Sequence, residues 1–598
     1  MRIVLIISII CKIVFGVNAQ ILYIKDQNSG LPIESVQVSQ ANSKMLFMTN
    51  NHGEVDISSL DHSDDVLISK NGYNATSISW NSLEQVDYII KLTQISINVD
   101  EITITASRWD QKRDDVPLKV ISITPNDVTM MQPQTAADML GKTGEVFIQK
   151  SQQGGGSPMI RGFATNRLLY SVDGIRMNTA IFRGGNIQNV ISLDPYAIEK
   201  VEVMFGPGST AYGSDAIGGV MRFQTLDPKL KGDKNTSISG KALTKFSSAN
   251  SESTQHFDIQ IAKGKWASLS SLTNFRFGDM KMGRKGPEEY LRKFYVERFD
   301  STDHIIENPN PLVQKPSGYT QLNMMQKVKF MPSENWGITY GFHYSETSEY
   351  SRYDRLIETT TTGIPRSAVW MYGPQIWMLN QLTIDHKADN VFFENVSLKL
   401  SQQSFEESRI DRNFSGGQRF RLRTNLEKVD AYALNFDAQK SSGDHHIFYG
   451  VEYVFDKIVS EGTAKDIRNN STISVPDRYP ASDWRSFGGF IHDAWKLMEK
   501  FNLLVGIRYS NYEIKSDFTR NLSFYPFDFT TINLKKSSLT GQCGFVFSPN
   551  NTSKLSLNLS SAFRAPNVDD MGKIFDFNAG EVLVPNPNLK ASMPEILM

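Results

Sequence analysis

Cysteine is almost missing from this chain of 598 residues: Cys11 and Cys543 are the two present. Cys11 lies in a segment read below as removed on export. The mature chain then has no intrachain disulfide and no cysteine metal site. Neither sign of charge is in excess, with 63 Lys and Arg against 64 Asp and Glu. No basic surplus points to nucleic acid, and no acidic tail is present. Histidine is scarce at nine, and only His445 and His446 adjoin, beside a predicted turn where solvation is expected rather than metal ligation. Beyond the N-terminus no apolar run approaches the ~20 residues a membrane helix needs. That excludes helical spans and leaves β-barrels open, because their strands alternate and keep mean hydropathy low. Residues 20–97, read below as an accessory module, carry no metal-ligand cluster and no nucleophile–base pair, and neither an enzyme nor a cofactor is expected.

What is present begins with an export signal over residues 1–19. Arg2 precedes the apolar run IVLIISII, Lys12 interrupts it, and Val17-Asn18-Ala19 offers small-residue cleavage. Bulky Ile10 argues against lipid modification of Cys11. Residues 20–97 alternate in short segments with polar turns, such as ILYIKD, ESVQVSQ and DDVLISKNGY. The pattern predicts an antiparallel sandwich of about seven strands. The Gly30-Leu31-Pro32 turn, Val36-x-Val38, the turn at 49–53 and Lys70-Asn71-Gly72-Tyr73 resemble the carboxypeptidase-regulatory-like domain of exported Bacteroidetes-type proteins. Despite that family's name, an accessory module is implied here.

Residues 98–115 form a polar linker that opens on Asp100, Glu101, Ile102, Thr103, Ile104, Thr105 and Ala106. Two acids leading into β-branched alternation suit either a last strand of the sandwich or a segment that adds itself to a partner's sheet edge. Position between a domain and a charged linker favours the second.

The stretch from Gly144 to Thr225 is dense in glycine, with short apolar runs such as LLYSV and VEVMF between. Such a segment makes short strands and tight turns, and needs walls from elsewhere to build a sizeable core. Gly206-x-Gly208-x-x-Ala211 mimics a dinucleotide fingerprint, but Pro207 intervenes and no strand–helix–strand repeat follows.

From residue 231 the texture changes to alternating segments of ten to fourteen residues. Ile447, Tyr449, Val451, Tyr453 and Phe455 oppose Gly450, Glu452 and Asp456, while Leu555, Leu557 and Leu559 oppose Ser556, Asn558 and Ser560. Short turns are predicted near 264–266, 332–335, 386–390, 441–444, 498–500 and 549–552, with long polar stretches between them. Short turns on one rim and long loops on the other distinguish a membrane barrel from a soluble sandwich. Two strands per turn and one leading strand make roughly thirteen.

These parts together resemble TonB-dependent outer-membrane transporters. The segment 100–106 looks like their TonB box. Residues 116–230 look like their plug, through QTAADMLGKTGEVFI, Ile160-Arg161-Gly162, Tyr170-Ser171-Val172-Asp173-Gly174, Ile198–Val203 and GPGSTAYGSDAIGGV. SAFRAPN at 561–567 and NPNLK at 586–590 match a further pair of family boxes.

The resemblance implies a mainly β protein: the sandwich, an α+β plug, and a transmembrane antiparallel β-barrel over 231–598. That barrel holds about thirteen of the about 22 strands such a transporter closes, so truncation is expected. It assigns Arg161, Gly162, Asp173, Gly174, Gly206, Gly208, Gly213, Gly218 and Gly219 to the plug's frame. A buried Arg161 paired to a carboxylate is expected. Gln152, Ser157, Phe182, Arg183 and Asn186 become candidates for ligand contact at the plug's apex. The implied partners are the inner-membrane TonB complex, outer-membrane lipid and a small-molecule or metal-chelate ligand. A ferric siderophore is favoured over haem, because no histidine falls from Asn567 to Pro585 and Asn186 sits where a haem ligand would serve. The competing readings are a glycan importer working with a surface lipoprotein and a non-transporting or degenerate receptor.

Overall fold

The computed structural model describes residues 20–598 apart from 28–29, 41–44, 71–72, 74, 94–101, 104–107, 110, 178–179, 182–188, 232–234, 551–552, 579–580, 584, 586–594 and 598. The export segment 1–19 therefore lies outside the described residues. The chain divides into two units, Met1–Glu101 and Ile102–Met598.

In the first unit Ile21–Asp26 lies between Glu54–Asp56 and Ile89–Leu92, and a second sheet joins Leu46–Met48, Gln37–Gln40, Val66–Ser69 and Thr76–Ile78. Alternation sorts the side chains: Leu22, Ile24, Val36, Val38, Val66 and Ile68 are all fully buried in one apolar core. One pairing departs from the antiparallel expectation. Ile21–Asp26 runs parallel to Ile89–Leu92. A parallel pair needs a crossover, and the helix Trp80–Gln85 lies in that connection, burying Trp80 and Leu83.

In the second unit the glycine-rich segment forms a five-stranded sheet in the order Lys119–Ile123, Ile198–Phe205, Gly219–Thr225, Leu168–Val172, Ile175–Arg176. A smaller sheet joins Phe147–Gln149, Ser157–Ile160 and Phe163–Ala164. Two short helices begin on threonine caps: Thr124 with Asp127 makes a capping box before Pro125–Met131, and Thr135 caps Ala136–Gly141. Close approach explains Gly218, where a Cβ would meet the Cβ of Phe163 at 2.3 Å. The false dinucleotide fingerprint resolves the same way. Ile198–Phe205 leads into a four-residue helix, Ser209–Tyr212, and the next strand returns antiparallel.

Around this domain runs one antiparallel sheet whose long strands follow in chain order from Ser237–Ser247 to Ser553–Ser561. Among the described residues they number thirteen, with the short Glu595–Leu597 added at the end. The described residues show no pairing between Ser237–Ser247 and the far end of the sheet, which is therefore open. Two-residue links fall at 264–265, 334–335, 443–444 and 499–500, where short turns are predicted, while 388–394 is longer. On the opposite rim lie 278–318 and 348–366, which carry short strands and helices of their own, and 467–480 and 518–530.

Several strands exceed the predicted ten to fourteen residues. Arg421–Ser442 and His445–Asp466 have 22 each, where about ten cross a bilayer. The surplus continues into the long-loop rim, where both faces are polar and alternation is no longer visible as an apolar–polar pattern.

Facing follows the expected alternation. Val451 and Tyr453 are exposed while Glu452 and Asp456 are buried; Leu555, Leu557 and Leu559 are exposed while Asn558 and Ser560 are buried. At the short-turn rim, aromatic pairs Trp266–Phe330, Trp336–His386, His445–Trp495 and Phe501–Phe547 stack on the outer surface. Such a girdle belongs at a membrane–water boundary. No helix among the described residues is long and apolar enough to cross a membrane. The expected walls are thus supplied by the sheet: a single apolar cluster joins Ile191, Phe205 and Phe223 of the inner domain to Phe277, Tyr319, Trp377 and Leu379 of the lumen face.

Candidate functional site

Two hairpin tips of the inner domain fold alike. Arg161–Gly162 joins Ser157–Ile160 to Phe163–Ala164, and Asp173–Gly174 joins Leu168–Val172 to Ile175–Arg176. Their φ values are 48° and 84° in the first and 50° and 85° in the second. Positive φ at both positions of a two-residue loop matches strand twist, and glycine takes the second position without strain. Their surroundings differ. Arg161 is exposed, which corrects the expected burial: its hairpin lies at the edge of the small three-stranded sheet, whereas the Asp173 hairpin belongs to the five-stranded sheet and faces the wall.

Asp173 faces the barrel wall, its side chain 12% exposed. Lys327 Nζ lies 2.9 Å from Oδ2, and His343 Nε2 lies 3.4 Å from the same oxygen. Thr225 donates its N–H to Oδ1 at 2.9 Å and its hydroxyl to Oδ2 at 2.7 Å. Gln381 of the wall donates to the Asp173 carbonyl at 3.2 Å. Burial alone would raise this carboxyl, but the Lys327 ammonium, His343 and Thr225 outweigh it and hold Asp173 well below the usual carboxylate range. At Gly174 a Cβ would stand 2.5 Å from Lys399 Nζ. A cavity of about 500 Å³ opens beside this tip between the inner sheet and the wall, with Arg108, Arg222, Lys329 and Asp437 on its lining.

A second tie centres on Glu452. Arg508, on the neighbouring wall, is 1% exposed and donates to Glu452 Oε1 at 3.2 Å, to the Ala211 carbonyl at 3.2 Å and to Ser510 Oγ at 3.0 Å. Arg176 of the inner domain approaches the same carboxylate at 3.9 Å, Asp215 at 3.5 Å, and donates to the Tyr212 carbonyl. Arg108 brings a third guanidinium, 3.3 Å from Glu452 Oε2 and 3.6 Å from Asp437 Oδ1. It also lies over the rings of Tyr212 and Phe490. Burial pushes the Tyr212 phenol up to about 12, so the ring under Arg108 stays neutral. Linker, inner domain and wall thus converge on one carboxylate. Gly213 (φ 79°) is part of the fit, since a Cβ there would meet the Arg508 guanidinium at 3.0 Å.

Of the segment 100–106, Ile102–Thr103 forms a short strand paired with Gln111–Lys112; Asp100, Glu101, Ile104, Thr105 and Ala106 lie outside the described residues. Gly206 (φ 113°) and Gly208 lead into the helix at 209–212, and Gly218 and Gly219 open the strand beyond it. Gln152 and Ser157 are 0% and 1% exposed. They sit inside the packed domain, where a Cβ added at Gly154 would meet Ile191 and the wall's Tyr319, and not on an open apex. Phe182, Arg183 and Asn186 lie outside the described residues. Glu452 was visible in the sequence as a polar-face residue; the arginines that meet it were not, because they lie on separate elements far along the chain from it. Arg508 shares the polar face of its strand with Ser510, and that was its only signal.

An antiparallel sheet with an apolar outer face, holding a separately folded domain by ion pairs and a shared core, has the architecture of a plugged β-barrel, here left open. Residues 112–220 match the TonB-dependent Receptor Plug Domain and residues 294–593 the TonB dependent receptor-like β-barrel. The chain belongs to the TonB-dependent receptor family. It is 38% identical over 130 residues to the Vitamin B12 transporter BtuB of Vibrio vulnificus (strain CMCP6), covering 21% of this chain and 20% of that one. It is 23% identical over 516 residues to a hemin receptor of Yersinia enterocolitica, covering 83% and 65%. Among solved structures, the copper transporter OprC superposes with a TM-score of 0.60 at 15% identity, over 76% of this chain and 64% of that one. The chain spans less than two thirds of the length of each of these three proteins.

Proposed function

We propose that this protein imports a scarce nutrient across the outer membrane, gated by its plug and energised through the TonB complex, after export by a cleaved signal over 1–19. The observation that carries the reading is Arg108. It follows the segment 100–106 by two residues and is held inside the lumen by Glu452 and Asp437. A partner that adds a strand to 100–106 and pulls would draw on contacts that also hold Arg176 and Arg508. Force at the linker would then reach the plug's seat, with no bond made or broken. Gly206, Gly208, Gly213, Gly218 and Gly219 serve as frame in this reading, and Phe182, Arg183 and Asn186 remain the ligand candidates of the apex. The N-terminal sandwich is read as an accessory module.

The cargo proposed is a ferric siderophore or related metal chelate, supported by the lack of histidine from Asn567 to Pro585. Deleting Asp100–Ala106 should abolish growth on the limiting nutrient with surface levels unchanged; growth at the wild-type rate would overturn import. Induction by iron limitation supports the chelate, and induction by a polysaccharide supports a glycan cargo instead.

A further inference from the structure

At the long-loop rim a cavity of about 900 Å³ opens on the lumen face. Its volume is that of a small-molecule site. The strand Asn395–Asn413 contributes Arg409 and Asp411, and Arg421–Ser442 contributes Arg421 and Arg423. Within each strand these residues are two apart, so both side chains share a face, and that face lines the lumen. Trp370 and Tyr525 add aromatic surface to the lining, and Arg478 adds a further cation.

The charges do not balance. Arg423 is satisfied by Asp411, with Nε and Nη2 each 3.1 Å from a carboxylate oxygen. Arg478 lies 4.0 Å from Glu427. Arg409 is different. It is 7% exposed, its Nε is buried with no hydrogen-bond partner, and among the described residues no carboxylate stands within ion-pair distance. Its guanidinium lies over the rings of Trp370 and Tyr372, at 5.7 Å and 5.3 Å. Arg421 donates to Gln418 at 3.2 Å, and its Nε is likewise buried without a partner. A buried guanidinium is costly unless an anion meets it; Arg409 has none at ion-pair distance, and the half-buried Arg421 shares Asp411 with Arg423, so the excess of cations leaves a place for an anion.

We infer that this cavity binds a small ligand carrying at least two carboxylate-type oxyanions on a planar or aromatic frame, with Arg409 and Arg421 as the anion contacts. Guanidinium forks match carboxylates in two-point geometry, and the aromatic lining accepts a flat body between them. The inference rests on the import reading for its biological sense and deepens it by giving the cargo a charge.

The test uses the full chain in outer-membrane vesicles and two probes of one shape, benzene-1,3,5-tricarboxylate and its uncharged triamide. Calorimetric titration should show saturable tricarboxylate binding that weakens as salt rises, and no triamide binding. Arg409→Gln and Arg421→Gln should each weaken binding about tenfold or more, while Arg409→Lys, which keeps the charge and guards against a folding artefact, should lose less. Protease resistance of the vesicle-embedded chain checks that each variant is folded. Absence of saturable tricarboxylate binding, equal binding of the triamide, or unchanged affinity in folded Arg409→Gln overturns the proposal. Binding needs no energy source, so deleting 100–106 should leave it intact. Failure of import and failure of anion recognition therefore give different results.

Discussion

Lys327 of the barrel wall and Asp173 of the plug meet at 2.9 Å across a boundary that 153 residues of chain separate. The carboxylate sits at the tip of a two-residue hairpin whose geometry places it outward, and the lysine, on an inward-facing position of its strand, is buried. The plug is therefore keyed to the wall at a residue whose backbone conformation the next glycine permits.

Asp173→Asn should loosen that key. Removing one partner of a buried pair costs about 3–5 kcal/mol, and the adjoining cavity can hydrate Lys327, so about 3 kcal/mol is expected here. Faster proteolysis of the plug in intact vesicles, with the barrel unaffected, is the readout.

The same contact sets a pH dependence. Asp173 has a folded-state value below the ordinary carboxylate range, so its contribution is full above about pH 4 and is lost as pH falls through the folded value. The difference in plug stability between wild type and Asp173→Asn should still be present at pH 5 and shrink only below about pH 4. A difference that shrinks between pH 7 and 5 would show another group at work.

Glu452→Gln should be more damaging than Arg508→Met. The first leaves Arg108, Arg176 and Arg508 facing one another without their common anion, whereas the second leaves Glu452 with two guanidinium groups. Denaturant midpoints of plug release should order wild type, Arg508→Met, Glu452→Gln from most to least stable.

Arg108→Gln should free the linker while the barrel stays folded. With Cys543→Ser as background and Ala106→Cys as reporter, a membrane-impermeant maleimide applied to outer-membrane vesicles opened at the short-turn side should react faster in the Arg108→Gln chain. Equal rates would mean that the lumen contacts do not restrain the segment.

Gly218→Ala should cost more than Gly174→Ala. At Gly174 the clash is with the mobile end of Lys399, leaving the positive φ as the main penalty, about 1 kcal/mol. At Gly218 the added Cβ meets the Cβ of Phe163 at 2.3 Å, so the backbone itself must move. Thermal midpoints of the two variants compare them directly.

Local periodicity in the sequence determined the sandwich strands, the outward and inward faces of Ile447–Phe455 and Leu555–Leu559, the rim carrying short turns, and the glycine turns of the plug. Each follows from backbone geometry and from the solvent a face meets, and neighbouring residues report both. The lengths of Arg421–Ser442 and His445–Asp466 were hidden, because above the bilayer nothing forces an apolar face. The exposure of Arg161, the burial of Gln152 and Ser157, and the parallel pairing of Ile21–Asp26 with Ile89–Leu92 were hidden as well. Only the tertiary structure decided that Lys327 meets Asp173, that three arginines share Glu452, and that Arg409 faces a cavity with no carboxylate among the described residues at ion-pair distance from it. A charge on a strand announces its face but not its partner, and those partners come together only when the wall wraps the plug.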